Sequence, residues 1–430
     1  MSSTLPFHEM PVLLRTVLKI RSSAYPIVNI GNCISTFQVL FRTTDTNSNS
    51  SWAVTTVFIP ASQAYCTAAN PAGCSHAIVS YEVPYDSASP DAAPSYLLQF
   101  SEPYGEMYDL LTRGYWVNVP DYEGPTASYT AGVQAGHATL DSIRAVLQVA
   151  DSFGLQMTNA RVALWGYSGG ASATEFAAEL AGTYAPELKI AGVVQGGLCT
   201  NMSSVFPRMN GQDTAGLVIA SLIGITSQHI AARTFMNTQL KQSGPYNASL
   251  FYTAATMNGN QVLTAFEYTN VYDYFLNGID DLNALTMREM FNSNGVMGIH
   301  GVPNMPMFIY KAIQDQMSPA NETDPIVASF CAQGANILYH RNNIGGHNDE
   351  LWHGRGRALA FLAAVLDDTP GFDFPLTGCQ ILNVTVAVTV DVVYTPAWEG
   401  AYQVEYPALD ITPVNVTVFQ NGSVLWPSGG

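Results

Sequence analysis

The sequence predicts an α/β fold, a parallel sheet with helices on both faces, interrupted by a long helical insertion. Three observations carry this reading. Short β-branched, apolar runs alternate with stretches of helical spacing between residues 52 and 194, the pattern of consecutive β-α-β units. The alternation stops near Cys199 and resumes at Met305. Between those points the chain reads as helices, with no run rich enough in β-branched residues to join a sheet.

The elements follow in order. Trp52 to Pro60 (WAVTTVFIP) and His76 to Val83 (HAIVSYEV) are apolar and β-branched, bounded by Ser, Gly and Pro, and read as strands; Tyr115 to Val119 is another. Ala135 to Ala150 carries apolar residues at helical spacing. Arg161 to Trp165 is a short buried strand that leads into a small-residue helix running toward Leu180, and Ile190 to Val194 is the next strand. Thr214 to His229 and Ile230 to Lys241 are helices of the insertion. The sheet then resumes with Met305 to Tyr310 and Ile337 to His340, followed by a glycine-bearing loop and a helix from Arg355 to Leu366. The Val/Thr-rich tail, Ile381 to Val418, reads as short strands. This divides the chain into a core, residues 1–198 and 301–430, and a helical insertion, residues 199–300.

Composition narrows the function. Of 430 residues, 47% are hydrophobic and 11% charged, which excludes an intrinsically disordered chain. The net charge of −17, with no Lys/Arg cluster, would be repelled by a phosphate backbone, so nucleic acid is excluded as a partner. The longest apolar run, around Leu217 to Ile225, is too short to span a bilayer. Scarce lysine with abundant Ser, Thr, Asn and Tyr resembles a secreted protein; an acidic cytosolic enzyme is the competing reading.

Cysteines and sequons bear on that choice. Cys33, Cys66, Cys74, Cys199, Cys331 and Cys379 form an even set without CxxC pairs. Cys66 and Cys74 bracket a Pro/Gly loop, Cys331 and Cys379 bracket one late segment, and Cys33 with Cys199 remains by elimination. Six buried thiols are the alternative. N-x-S/T sequons begin at Asn49, Asn201, Asn247, Asn321, Asn383, Asn415 and Asn421, with glycans expected near Asn383, Asn415 and Asn421, so the chain is expected to be secreted. Met1 to Leu18 lacks a basic segment followed by an apolar one, which predicts either a leader already removed or a protein that is not exported.

One motif carries chemistry. Gly166-Tyr167-Ser168-Gly169-Gly170 matches G-x-S-x-G, with a strand directly before it and a helix of small residues directly after. That context is a nucleophile elbow, in which the serine takes a strained turn and flanking glycines avoid neighbouring backbone. An ordinary β-turn-α with a serine N-cap is the competing reading. The helix N-terminus and the Gly169 amide would stabilise an oxyanion. In folds built on such an elbow, an acid and then a histidine follow the serine. Asp315 lies just past Met305 to Tyr310, and His347 lies in the loop after Ile337 to His340. Asp324 is the rival acid, and His340 and His353 are rival bases. His347, Asp349, Glu350 and His353 also read as a metal cluster, but their spacing fits no standard site. A second oxyanion donor should come from the turn-rich Pro84-Tyr85-Asp86-Ser87 after an early strand, which could equally be a plain surface turn.

These stretches resemble a family, the fungal secretory lipases of the Candida antarctica lipase A kind, which are α/β-hydrolases with an inserted helical cap (lid). The resemblance rests on Tyr85-Asp86-Ser87, Ala93-Pro94-Ser95-Tyr96, Pro120-Asp121-Tyr122-Glu123-Gly124, Leu140-Asp141-Ser142-Ile143-Arg144-Ala145, the elbow, Tyr184-Ala185-Pro186-Glu187-Leu188, Cys331-Ala332-Gln333-Gly334-Ala335-Asn336 and His347. It implies an α/β-hydrolase fold with a cap, Ser168 as nucleophile, His347 as base and Asp315 as acid. It also implies the backbone amides of Asp86 and Gly169 as the oxyanion hole. The chain departs from the family after the acid, where D-E-[IV]-V-P is replaced by Asp315-Gln316-Met317-Ser318-Pro319, and at Ala92, where relatives carry a cysteine.

The expected activity is a serine carboxylester hydrolase of lipase or esterase type, needing no metal or organic cofactor and meeting a small-molecule or lipid ester, also at a lipid–water interface. An esterase or acyltransferase acting on a small secondary metabolite is the alternative, and a binding module on a hydrolase fold is the third. The apolar residues Leu217, Val218, Ile219, Leu222 and Ile223 suit either an acyl chain or the core of the cap.

Overall fold

The computed structural model describes residues 17–22, 32–65, 75–100, 104–155, 160–369, 372–375, 377–387, 410–413, 417–418 and 424–425. The expected Cys66–Cys74 closure, Asn415, Asn421 and residues 1–16 lie outside them. One mixed sheet is built from β1 Val17–Ser22, β2 Cys33–Thr44, β3 Ser50–Pro60, β4 Ala77–Glu82, β5 Trp116–Pro120, β6 Arg161–Tyr167, β7 Ile190–Gly196, β8 Met307–Ala312, β9 Ile337–Asn342, β10 Cys379–Thr385 and β11 Asp410–Pro413. Its order is β1-β2-β3-β5-β4-β6-β7-β8-β9-β10-β11. Strands β5, β4, β6, β7, β8, β9 and β10 run parallel, as the alternating sequence predicts. The ribbon β1-β2-β3 pairs antiparallel onto β5, and β11 pairs antiparallel onto β10, so the sheet is not parallel throughout. Strand β2 has no signature in the sequence because polar residues (Ser35, Thr36, Gln38, Arg42) interrupt its apolar ones.

Both faces of the central strands are buried, which explains their continuous apolar runs. On β6, Val162 and Leu164 join one core cluster while Ala163 and Trp165 join another. On β8, Met307 and Ile309 face the first and Phe308 and Tyr310 the second. This is the two-residue period of a strand read on both sides. The helices Gly169–Tyr184 and Ala320–Ala332 contribute Ala177, Val327 and Phe330 to the first face. The helix His347–Asp367 contributes Ala358, Phe361 and Leu362 to the second.

Between β7 and β8 the described chain is helical. An isolated antiparallel bridge between Asn201 and Val296 closes the base of this segment. Its centre is the helix Ala215–Thr226, every residue of which is buried. Gly224 lets that helix meet the backbone around Tyr129, since a Cβ there would stand 2.4 Å from the Tyr129 nitrogen. Leu217, Val218, Ile219, Leu222 and Ile223 belong to the segment's own hydrophobic cluster, which settles them as core.

Cys331 and Cys379 form the expected disulfide, tying the helix Ala320–Ala332 to the start of β10. The expected Cys33–Cys199 pair is not formed, and both are free thiols. Cys33 opens β2 and Cys199 follows β7, five strand spacings away in the sheet. At about 4.8 Å per spacing that is roughly 24 Å, well beyond the roughly 7 Å between Cα atoms that a disulfide tolerates.

Candidate active site

Strand β6 ends at Tyr167 and the helix Gly169–Tyr184 begins two residues later. Ser168 alone makes the turn, with φ 53° and ψ −117°. A non-glycine residue holds such a conformation only when its surroundings enforce it. Here its amide donates to the Gly196 carbonyl at the end of β7, at 2.9 Å. The glycines are required by close approach: a Cβ on Gly166 would stand 2.3 Å from the Gly170 carbonyl, and one on Gly170 would stand 1.8 Å from the Glu82 carbonyl oxygen.

His347 Nε2 lies 2.8 Å from Ser168 Oγ, and His347 Nδ1 lies 2.7 Å from Asp315 Oδ2. An ionised carboxylate only accepts, so Nδ1 carries the proton and Nε2 is left to accept from the serine hydroxyl. The sequence places His347 in a flexible loop, but it is the first residue of the helix His347–Asp367. Its backbone is held on both sides. The His347 amide donates to Gln316 Oε1 at 3.0 Å, and the Tyr167 hydroxyl donates to the His347 carbonyl.

Asp315 is almost wholly buried and filled with donors. Oδ1 accepts the Met317 and Ser318 amides at 2.9 and 3.0 Å. Oδ2 accepts His347 Nδ1 and also lies 3.1 Å from Lys311 Nζ. Burial alone would raise this carboxyl; the Lys311 ammonium, the His347 hydrogen bond and the Ser318 amide outweigh it and hold it well below the usual carboxylate range.

The rival residues are engaged elsewhere. His340 takes a hydrogen bond from Arg357 Nη1 at 3.1 Å, and burial, reinforced by Arg357, pushes it down to about 3. His353 sits in the second turn of the helix His347–Asp367, with Nδ1 3.9 Å from Glu350 Oε2. Asp324 pairs with Arg341 at 3.1 Å. The four-residue metal grouping is not assembled, since His347 faces Ser168 and Asp315 while Glu350 is held by Arg357 at 2.7 Å and Asn342 at 2.6 Å.

Asp86 follows β4 at φ 46° and packs against Gly169, where an added Cβ would meet Asp86 Oδ1 at 2.0 Å. The two residues nominated for an oxyanion hole are therefore neighbours beside Ser168. Gly169 is the first residue of its helix, where amides lack intrahelical acceptors and carry the positive end of the dipole. Burial pushes the Asp86 carboxyl up to about 6, with Tyr129 and His347 opposing the rise.

A pocket opens on Ser168 and Gly169. The core supplies Glu123, Tyr129 and Phe176, and the helical segment supplies Met202, Phe206 and Asn294. The residues nominated from the sequence, Ser168, Asp315 and His347, are brought together, but Lys311, Gln316 and Tyr167, which contact them or their backbone, are not among those nominated. The one available hint is that Lys311 precedes Asp315 by four residues in a chain with four lysines.

Comparison with known proteins bears on the family and the fold. Residues 103–373 match the family model described as secretory lipase. A trichothecene C-3 esterase of Fusarium sporotrichioides is 40% identical over 380 residues, covering 86% of this chain and 83% of that protein. Lipase A of Arthroderma benhamiae is 30% identical over 371 residues, covering 82% and 76%. The solved structure of Candida antarctica lipase A in its closed state superposes with a TM-score of 0.72 at 29% identity, covering 83% of this chain and 84% of that one. The chain thus belongs to the secretory lipase family and is a carboxylic ester hydrolase built on the α/β-hydrolase fold.

Proposed function

We propose that Ser168, His347 and Asp315 are the nucleophile, general base and orienting acid of this hydrolase, with the Asp86 and Gly169 amides as its oxyanion hole and residues 199–300 as a cap on a core of residues 1–198 and 301–430. The observation that carries this reading is the continuous chain of contacts, 2.8 Å from Ser168 Oγ to His347 Nε2 and 2.7 Å from His347 Nδ1 to Asp315 Oδ2. As Ser168 Oγ attacks the ester carbonyl, its proton passes to Nε2 and the negative charge moves to the carbonyl oxygen, facing the two amides. The tetrahedral adduct collapses, the imidazolium gives its proton to the leaving alkoxide, and an acyl-enzyme remains. A water, deprotonated by His347, then releases the acid and restores the serine. Asp315 stays ionised throughout and stabilises the imidazolium.

The test is a set of five variants. Ser168→Ala, Asp315→Asn and His347→Ala should lose ester hydrolysis by orders of magnitude with the fold retained. His353→Ala and Asp324→Asn should keep kcat per site titrated with an active-site phosphonate. Full activity in Ser168→Ala, or a dead His353→Ala, would refute the assignment.

A second reading concerns the substrate: a small secondary-metabolite ester rather than a lipid at an interface, with acyl transfer as a variant. It is favoured by the resemblance to a trichothecene C-3 esterase and by polar groups such as Glu123, Ser128 and Asn294 among the pocket walls. Rates over esters from acetate to long-chain triacylglycerol, with and without an acyl acceptor, separate the readings. We also place the protein outside the cell, on the family's secretory character, the Cys331–Cys379 disulfide and the sequons. No helix among the described residues is long and apolar enough to cross a membrane.

A further inference from the structure

A fully buried lysine is costly, because an ammonium loses its hydration and regains it only from well-placed acceptors. The chain has four lysines, Lys19, Lys189, Lys241 and Lys311, and of these only Lys311 is buried. It sits on β8, with Nζ 2.7 Å from the Leu198 carbonyl and 3.1 Å from Asp315 Oδ2. The strand ends at Ala312, the Asp315 amide turns back to the Ala312 carbonyl at 3.3 Å, and this fold returns the carboxylate to the lysine.

We propose that Lys311 is a positioning residue of the ester-hydrolysing site, fixing the Asp315 carboxylate in the rotation that aims Oδ2 at His347 Nδ1. This rests on the reading of Ser168, His347 and Asp315 as the catalytic set. The two loop amides hold Oδ1. Oδ2 has only the imidazole, which moves with catalysis, and the ammonium, which is anchored on a central strand. Without the ammonium, the carboxylate can pivot about its Oδ1 anchor and lose alignment with Nδ1. The ammonium also balances the buried anion while His347 is neutral, as it is for most of the cycle. Its bond to the Leu198 carbonyl fixes Nζ itself against the loop that follows β7. A purely architectural role would be limited to that last contact.

A double-mutant cycle separates the two roles. Lys311→Met, Asp315→Asn and the double variant are made in the full chain, counted by phosphonate titration, and assayed with a soluble short-chain ester. Lys311→Met should lower kcat by about tenfold to a hundredfold with KM within about twofold of the parent. In the Asp315→Asn background the same change should have no further effect on kcat, because there is no carboxylate left to aim. If Lys311→Met does not fold, Lys311→Gln retains a donor for the Leu198 carbonyl and makes the same comparison. An unchanged kcat in the single variant, or an equal loss in both backgrounds, would overturn the inference. Parental kcat in Asp315→Asn alone would instead overturn the catalytic set on which it depends.

Discussion

Gly170→Ala is a change of one methyl group that should disable the enzyme, while the same change at Gly182, in the same helix, should strengthen it. A Cβ at position 170 would stand 1.8 Å from the Glu82 carbonyl oxygen, and ordinary contact begins at 3.4 Å, so the carbonyl would have to retreat by about 1.6 Å. It is not free to do so. Glu82 pairs in register with Gly166 across β4 and β6, and the next strand lies on the other side of β4. Forcing a methyl into such packing costs roughly 3 kcal/mol or more, while replacing a helical glycine with alanine returns about 1 kcal/mol. The net loss is about 2 kcal/mol at least. At Gly182 the nearest atom to the added Cβ is Asn304 Nδ2 at 3.8 Å, so only the gain of about 0.5–1 kcal/mol remains. Urea unfolding followed by tryptophan fluorescence should separate the two variants by about 3 kcal/mol, roughly a hundredfold in equilibrium constant. Gly170→Ala should also react slowly with an active-site phosphonate, because displacing the elbow misplaces Ser168 Oγ. A Gly170→Ala protein as stable and as reactive as the parent would refute the close-approach argument.

Other expectations rest on buried groups and accessible ones. Burial pushes the Glu82 carboxyl up to about 8 against hydrogen bonds from Ser80 and Thr174. A carboxyl that ionises near about 4.3 when unfolded keeps its proton in the fold, so stability should fall as pH rises from there to about 8. Glu82→Gln should remove that slope, appearing as a higher melting temperature at pH 8 that converges with the parent below about pH 4. Thiol labelling of denatured, unreduced protein, mapped by mass spectrometry, should mark Cys33 and Cys199 but not Cys331 or Cys379. Replacing Cys331 and Cys379 with serine opens a bridge with a sequence separation of 48 and should lower stability by up to about 4 kcal/mol, read from chemical unfolding. Expressed through a eukaryotic secretory route, Asn49 and Asn321 should carry glycans, since both are exposed. Asn383, where the sequence leads one to expect a glycan, should carry none, because it lies half-buried on β10 with its side-chain carbonyl accepting from Arg341; an occupied Asn383 in glycopeptide mapping would contradict this.

The parts legible in the sequence are those set by local pattern. The apolar runs of β6 and β8 announce a strand buried on both faces, and the glycines around Ser168 announce the turn they permit. Chain order then locates Asp315 and His347 without any contact being known. What the sequence hides depends on distant partners. Gln38 looks like a surface residue in β2 but is buried, donating to Thr56 and the Ser95 carbonyl. Lys311 reads as an ordinary strand-end charge, since its acceptors, Leu198 and Asp315, are brought to it by two separate loops. His347 is preceded by two glycines and so reads as loop, but the cap from Asp349 to the Gly346 amide starts a helix there. The Cys33–Cys199 pairing fails for a similar reason, because elimination among cysteines takes no account of how many strands intervene.

The bridge between Asn201 and Val296 has a consequence for the order of synthesis. Everything it pinches off must be made after the serine and before the imidazole, which follows Ser168 by 179 residues. At about 5–20 residues per second that interval is roughly 10–40 s. During it, a growing chain can shape the turn around Ser168 on β4, β6 and β7, but the imidazole that stands 2.8 Å from its Oγ is not yet made. Translation therefore brings an imidazole to Ser168 only after the whole helical segment has been made.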